Sequence, residues 1–286
     1  MQLRTDLALE QKEMHSSLPE GVTCEETKKS KANITKISIT NALGAKALEK
    51  PIGTYITIEV PPFSDNLTDY DMISIVAESL CELLPKQGSV LVAGLGNRDI
   101  TPDALGPKTA SRVLATRQIE KEIARVADVN SVRSIAVISP GVLGQTGIEA
   151  FDLLCGITGE IQPDAVVIID ALASRFLKRL GCTVQMSDSG IEPGAGVGNA
   201  RLEISKKTLG VPVIAIGVPT VVDASTLVYD LTNGSGTLAE PDGQQMIVTP
   251  REIDLLVDRA ATMIAGAINK ALLPNLESTL IAELLG

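Results

Sequence analysis

Ser89-Val90-Leu91-Val92-Ala93-Gly94-Leu95-Gly96-Asn97-Arg98-Asp99-Ile100-Thr101-Pro102-Asp103-Ala104-Leu105-Gly106-Pro107 is the stretch from which the fold is read. It starts as an apolar strand, breaks at a glycine turn, and carries carboxylates before a helical pattern begins near Pro107. That order puts charge beyond the carboxyl end of a strand, which is where open α/β sheets bind their ligands.

Outward from this stretch the same grammar recurs. Residues 134–138 (SIAVI), 165–169 (AVVII, with Asp170 expected to finish the strand) and 212–217 (PVIAIG) are continuous apolar runs. Such runs mark strands covered on both faces. Each is followed by a polar or glycine-rich loop, and helical periodicity appears at 68–84, 108–127 and 148–155. A last helix is expected to open at Thr249-Pro250 with Glu252 closing a capping box, and to end before Pro274. Residues 182–186 add a further strand. Residues 34–40 and 54–60 alternate apolar and polar, as half-buried strands do, and are expected to pair antiparallel at one edge. The charged run 25–31 reads as a solvated loop, and residues 232–245 as polar surface turns. The sum is an α/β fold of three layers, a mostly parallel or mixed sheet with helices on both faces.

Composition narrows the function. Hydrophobic residues make up 44% of 286 residues, too many for a disordered chain. No apolar run reaches the roughly 18–20 residues of a membrane span, and the polar N-terminal segment lacks the core of a secretory signal. A cytoplasmic location is expected. A formal charge of −10 without a basic block argues against a nucleic-acid surface. The four cysteines are far apart in sequence and are expected to be reduced. The single histidine, His15, lies in the polar N-terminal segment. Ser-His-Asp and Cys-His catalysis therefore have no base to draw on, and a histidine-based zinc site is equally disfavoured.

Carboxylates remain. Asp170 directly follows four β-branched residues, Val166 to Ile169, and a charge so placed needs a partner or a proton. It either caps the turn that follows or faces Asp103 across the sheet edge. Two facing carboxylates share a proton, because like charges at short range do not both ionise cheaply. Such a pair can activate water in a metal-free hydrolase or hold a divalent cation. Gly96, Asn97, Gly141 and Gly144 lie in loops that could line a cleft and offer backbone amides to an oxyanion. Gly94-Leu95-Gly96 lacks the third glycine of a dinucleotide fingerprint, and Asp99, Asp188, Glu192 and Asp223 read as turn or cap residues.

Six stretches together resemble the germination proteases of spore-forming bacteria, the aspartic spore endopeptidases: 94–107 (GLGNRDITPDALGP), 139–149 (SPGVLGQTGIE), 166–175 (VVIIDALASR), 188–201 (DSGIEPGAGVGNAR), 211–224 (VPVIAIGVPTVVDA) and 246–254 (MIVTPREID). The resemblance implies a phosphorylase/hydrolase-like α/β fold, as in hydrogenase-maturation proteases. It implies that Asp103 and Asp170 are the functional aspartates and that no metal or cofactor is used. It implies an endopeptidase that begins the degradation of small acid-soluble spore proteins during germination, in the forespore or spore core, as a homotetramer. It implies a zymogen that cuts itself: Arg4-Thr5-Asp6-Leu7-Ala8-Leu9-Glu10 resembles the family's processing site, placing the cut between Asp6 and Leu7. Residues 1–6 would then be a propeptide and 7–286 one α/β protease domain. The alternatives are a metal-dependent hydrolase or maturation-type protease using the same acids, and a non-catalytic substrate-binding protein.

Overall fold

The apolar runs become neighbouring strands of one sheet in the computed structural model, which describes residues 5–65, 70–127, 132–198, 201–232 and 246–285. The strands are β1 (Val22–Lys29), β2 (Ala32–Ile39), β3 (Gly53–Glu59), β4 (Val90–Leu95), β5 (Ile135–Gly141), β6 (Ala165–Ala173), β7 (Thr183–Ser187), β8 (Val213–Asp223) and β9 (Ile247–Val248). Their order is β1-β2-β3-β7-β8-β6-β4-β5, with β9 added to the far end of β8. β8, β6, β4 and β5 run parallel. β1, β2, β3 and β7 pair antiparallel, and β7 joins β8 antiparallel. The sheet is thus mixed, with a parallel half and an antiparallel half meeting at β7 and β8.

Alternation along the parallel strands builds two cores. Val90, Val92, Val167, Ile169, Ile214 and Ile216 pack with the helices Tyr70–Leu83 and Ile253–Leu272. Leu91, Ala93, Val166 and Ile168 pack on the opposite face with the helix Ala150–Ile161. A third, smaller core joins Ala8 and Leu9 to Val22, Ile37, Ile39, Leu48 and Tyr55 of the antiparallel half. Helices on both faces of one sheet make the three layers expected from the sequence.

Several boundaries differ from the expectation. Residues 22–29 form β1, not a loop. Its partner β2 supplies the ladder, while most of its own side chains stay exposed, so the charge run is a solvated strand face. The helix expected over 108–127 is broken into Leu105–Ala110 and Glu120–Val126. Between them the chain turns to brace β5. The Thr116 and Arg117 amides donate to the Ile135 carbonyl at 3.0 Å, and the Thr116 hydroxyl accepts from the Ile135 amide at 2.9 Å. These bonds to a strand partner occupy main-chain groups that a continuous helix would use. The last helix starts at Ile253, because Thr249 does not cap it; its hydroxyl donates to the Thr220 carbonyl at 2.9 Å and ties β9 to β8. The helix expected at 68–84 spans Tyr70–Leu83, residues 68 and 69 lying outside the described residues, as do 233–245. Among the described residues no helix is long and apolar enough to cross a membrane.

Candidate active site

Asp170 is not the last residue of its strand, as the sequence suggested, but stands three residues before the end of β6. The reason lies in its neighbours. On one side β6 keeps pairing with β8 through Ala173, whereas on the other β4 leaves after the Gly94–Ile169 pair. Asp170 is the first β6 residue past that departure, at the mouth of the gap. It points to the face of Val166 and Ile168 by strand alternation, and only 6% of its surface is exposed. Its Oδ1 accepts the Ala171 amide at 2.9 Å.

The chain that leaves β4 returns as a short 3-10 turn, Thr101–Asp103, followed by the helix Leu105–Ala110. That helix start lies directly on the sheet. A Cβ at Gly106 would stand 2.1 Å from the Leu95 carbonyl oxygen and 2.7 Å from that of Ile169, so only glycine permits the approach. The Thr220 hydroxyl donates to the Pro102 carbonyl at 2.8 Å and fastens the turn to β8. Asp103 is left half-buried, its Oδ2 accepting the Asn97 amide at 2.7 Å.

Asp103 and Asp170 line one cleft of about 410 Å³, together with Gly96, Asn97, Gly141 and Gly144. The structure therefore brings the expected residues together. It also gives Asn97 a different task from the one expected: its amide is engaged by the Asp103 carboxylate, which it holds in place. Of the other loop acids, Asp223 caps the helix Ala224–Leu231, its Oδ1 accepting the Thr226 amide at 3.0 Å, and Asp188 accepts the Thr54 amide at 2.6 Å. Asp223 thus has the cap role read from the sequence, whereas Asp188 departs from it, bonding across to the β3 strand instead of within its own turn.

A third carboxylate lines the same cleft, and it belongs to the N-terminal segment. The Asp6 amide donates to the Ala173 carbonyl at 2.9 Å, and the Ala173 amide donates to Asp6 Oδ2 at 2.8 Å. Gln185 of β7 brackets Leu7 from both sides. Its Nε2 donates to the Asp6 carbonyl at 2.8 Å, and its Oε1 accepts the Ala8 amide at 2.7 Å. Gln185 pairs with Gly217, which pairs with Asp170. Across three strands, the residue between the Gln185 and Asp170 side chains has none of its own. Leu7 is fully buried. Glu10 is clamped by the Arg175 and Phe176 amides at 2.7 and 3.0 Å, by the Thr5 hydroxyl, and by the buried Arg179 guanidinium at 3.7 Å.

The charges of the cleft work against ionisation. Burial lifts Asp170 well above the usual carboxylate range, and the negative charges of Asp103 and Asp6 lift it further. Burial also raises Asp103, against the pull of the Asn97 amide. Asp6 is raised by burial and drawn back by Lys50 and by the Ala173 and Gly196 amides. Sequence reasoning found both central acids but not Gln185, Lys50 or Gly196. The first is visible only through strand register, and the other two only once the N-terminal segment is seen to lie between them. Among the described residues, no group of three or more His, Cys, Asp or Glu side chains is arranged to hold a metal ion.

An α/β sheet whose crevice gathers carboxylates around a length of polypeptide is the architecture of a peptide-handling hydrolase. The chain belongs to the germination protease family, whose model matches residues 2–233, and it is a peptidase of the endopeptidase kind. It is 42% identical to a germination protease of Caldanaerobacter subterraneus subsp. tengcongensis, with 99% of this chain and 98% of that protein covered. It is 41% identical to one from Clostridium perfringens strain SM101, with 96% of each covered. Among solved structures, a NiFe hydrogenase maturation protease from Thermococcus kodakarensis matches at 18% identity and a TM-score of 0.39, over 68% of this chain and 98% of that one, a likeness too loose to bear on function.

Proposed function

We propose that Asp103 and Asp170 are the catalytic pair and share one proton. The ionised member takes a proton from water as its oxygen bonds to the peptide carbonyl carbon. The protonated member gives its proton to the amide nitrogen as the C–N bond breaks. A carboxyl group kept neutral by burial and by a neighbouring charge is suited to that donation, and the joint titration belongs to the pair, not to either residue. The observation that carries this reading is that Asp103 and the buried Asp170 line one cleft at the mouth of the β4–β6 gap.

The first substrate is the chain itself. The bond between Asp6 and Leu7 is cut, residues 1–6 are released as a propeptide, and residues 7–286 form the working protease domain. The placement of Asp6 in the cleft of Asp103 and Asp170 supports this order of events. The later substrates are small acid-soluble spore proteins, cut during germination in the spore core by a tetrameric enzyme that needs no cofactor.

Asp103→Asn and Asp170→Asn are each expected to lower kcat by about 10²- to 10⁴-fold, the usual worth of a positioned acid or base. Activity of the unaltered chain is expected to persist in excess chelator. Full activity in either Asn variant sinks the pair, and loss of activity on chelation moves the same acids to metal binding.

A further inference from the structure

Asp103 reaches the cleft on a loop, and a loop needs ties to hold a carboxylate still. Its ties are of different kinds. One kind is buried and sets the main chain: the fully enclosed Thr220 hydroxyl fixes the Pro102 carbonyl, and Gly106 seats the helix that follows. The other acts on the carboxylate itself. The Asn97 amide donates to Asp103 Oδ2 at 2.7 Å. Gly96, at a φ of 111°, lies against the same residue, and a Cβ there would stand 2.0 Å from the Asp103 carbonyl oxygen and 3.0 Å from Oδ1. The Gly96–Asn97 turn thus wraps the carboxylate with backbone, and the place of that turn decides the place of Oδ2.

What holds the turn comes from a different strand. β4 and β5 end side by side, the last pair of their ladder being Leu95 and Gly141. Asn97 lies just past one end and Gln145 just past the other. The side-chain amide of Gln145 carries two hydrogens and gives them to two acceptors of the β4 loop, Asn97 Oδ1 at 2.7 Å and Asp99 Oδ2 at 3.3 Å. Asn97 Oδ1 also accepts the Asp99 amide at 2.9 Å. Gln145 is itself presented by a closed turn, in which its amide donates to the Val142 carbonyl at 2.9 Å and the Gly147 amide to the Leu143 carbonyl at 2.8 Å. A line of hydrogen bonds therefore runs from the β5 loop through Gln145 and Asn97 to Asp103. Gln145 is exposed and lies behind the turn, lining a hollow with Gly96, Arg98 and Pro107. A hydrogen bond between exposed groups adds little to folding. Its weight is in placement, since an error of about 1 Å in a reacting group lowers the rate on the order of 10²-fold.

We infer that Gln145 is a positioning residue for Asp103: by tying Asn97 it keeps the Asn97 amide on Oδ2 and so holds the Asp103 carboxylate towards the cleft it shares with Asp170. The inference rests on the catalytic pair proposed above. Gln145 transfers no proton and acts only through Asn97.

The test compares the full chain with Gln145→Met, which keeps the length and drops both donors, and with Gln145→Lys, which keeps the length and restores donors. Peptide hydrolysis is measured across the acidic pH range. Gln145→Met is expected to lower kcat by about 10-fold with little change in KM, the sign of an interaction that serves the reacting groups and not substrate binding. Gln145→Lys should recover most of that loss. The acid limb of the pH–rate profile should move to higher pH in Gln145→Met, because burial raises Asp103 and the Asn97 amide is what draws it back. Asp170, Asp6, Glu149 and Arg201, the other charged groups of the cleft, are the same in all three chains. The melting temperature should fall by no more than about 2–4 °C, the worth of one exposed hydrogen bond. Added to Asp103→Asn, Gln145→Met should cost nothing further, since the group it positions is gone. An unchanged kcat in Gln145→Met, or a full additional loss in the double variant, overturns the inference and leaves the catalytic pair standing. A fall in kcat with an unmoved acid limb and a much lower melting temperature is loss of structure, and overturns it too. Asp103→Asn that keeps full activity refutes the pair itself, a result read from that single variant.

Discussion

At the scale of single residues, Asp170 was the most legible feature of the chain. A carboxylate directly after Val166-Val167-Ile168-Ile169 announces a buried charge, and burial is what raises its pKa. The consequence for stability follows from the sign. In the unfolded chain the group ionises in the ordinary aspartate range, whereas in the folded chain it holds its proton to higher pH. Its favourable contribution is complete below the unfolded value and is lost as pH rises through the folded one. Asparagine cannot ionise, so Asp170→Asn is expected to melt higher than the wild-type chain at neutral pH. The gain should be about 2–4 °C for each kcal/mol of penalty removed in a chain of this size, and it should shrink as the pH falls into the ordinary aspartate range. Thermal melts of both proteins across that pH interval check it. A variant that melts lower at neutral pH would mean the Oδ1 bond to the Ala171 amide matters more than the buried charge. Gaining stability while losing activity is the trade expected if Asp170 acts in the proposed pair. Gln185, Lys50 and Gly196 had no such local signature. Each is a common residue type in an ordinary stretch, and its role depends on which strand or loop lies opposite.

At the scale of elements, the sequence was reliable where burial on both faces wrote a continuous apolar run, and unreliable where a distant partner decided the boundary. β4, β5 and β6 were readable as strands, although β5 runs on to Gly141 and β6 to Ala173, past their expected ends. β8 was expected to stop at Gly217, yet it runs to Asp223 through Pro219, because the β6 extension offers it a partner. The broken helix after Pro107 is the clearer lesson. Apolar spacing favoured one long helix over 108–127, but Asn269 on the helix Ile253–Leu272 reaches across to end it. Its Oδ1 accepts the Leu114 amide at 3.0 Å and its Nδ2 donates to the Arg112 carbonyl at 2.9 Å. Asn269 is 5% exposed, so water does not replace it there. Asn269→Ala strands two main-chain groups and is expected to cost about 2–3 kcal/mol, from the penalty of buried unpaired donors and acceptors. Chemical denaturation reads that loss. A cost near zero would mean the turn is held by Thr116 and β5 alone. Because the helix Leu105–Ala110 also carries Gly106 onto the sheet beside Asp103, the same variant should lower activity more than its fractional unfolding explains.

At the scale of the whole molecule, the N-terminal segment lies along the seam where the antiparallel and parallel halves of the sheet meet. Asp6 is bonded to the end of β6 and to Gln185 of β7, while Ala8 and Leu9 pack into the core of the β1–β2–β3 unit. These contacts place the proposed bond at Asp6–Leu7 beside Asp170 of the same chain. A bond presented this way reacts as an intramolecular group, with no encounter step. The release of residues 1–6 is therefore expected to be first order, with the same half-time when the protein is diluted by about 100-fold. N-terminal sequencing or intact mass, followed over time at both concentrations, measures the fraction of chains that begin at Leu7. The segment that remains should stay docked, because Leu7 is fully buried and Glu10 keeps its two amides and Arg179. The melting temperature of the cut chain should thus lie close to that of the intact one. A half-time that lengthens in proportion to dilution would place the cutting pair on another molecule. The docking of Asp6 would then be a resting contact that competes with substrate, and the bond would have to leave the seam before it is cut.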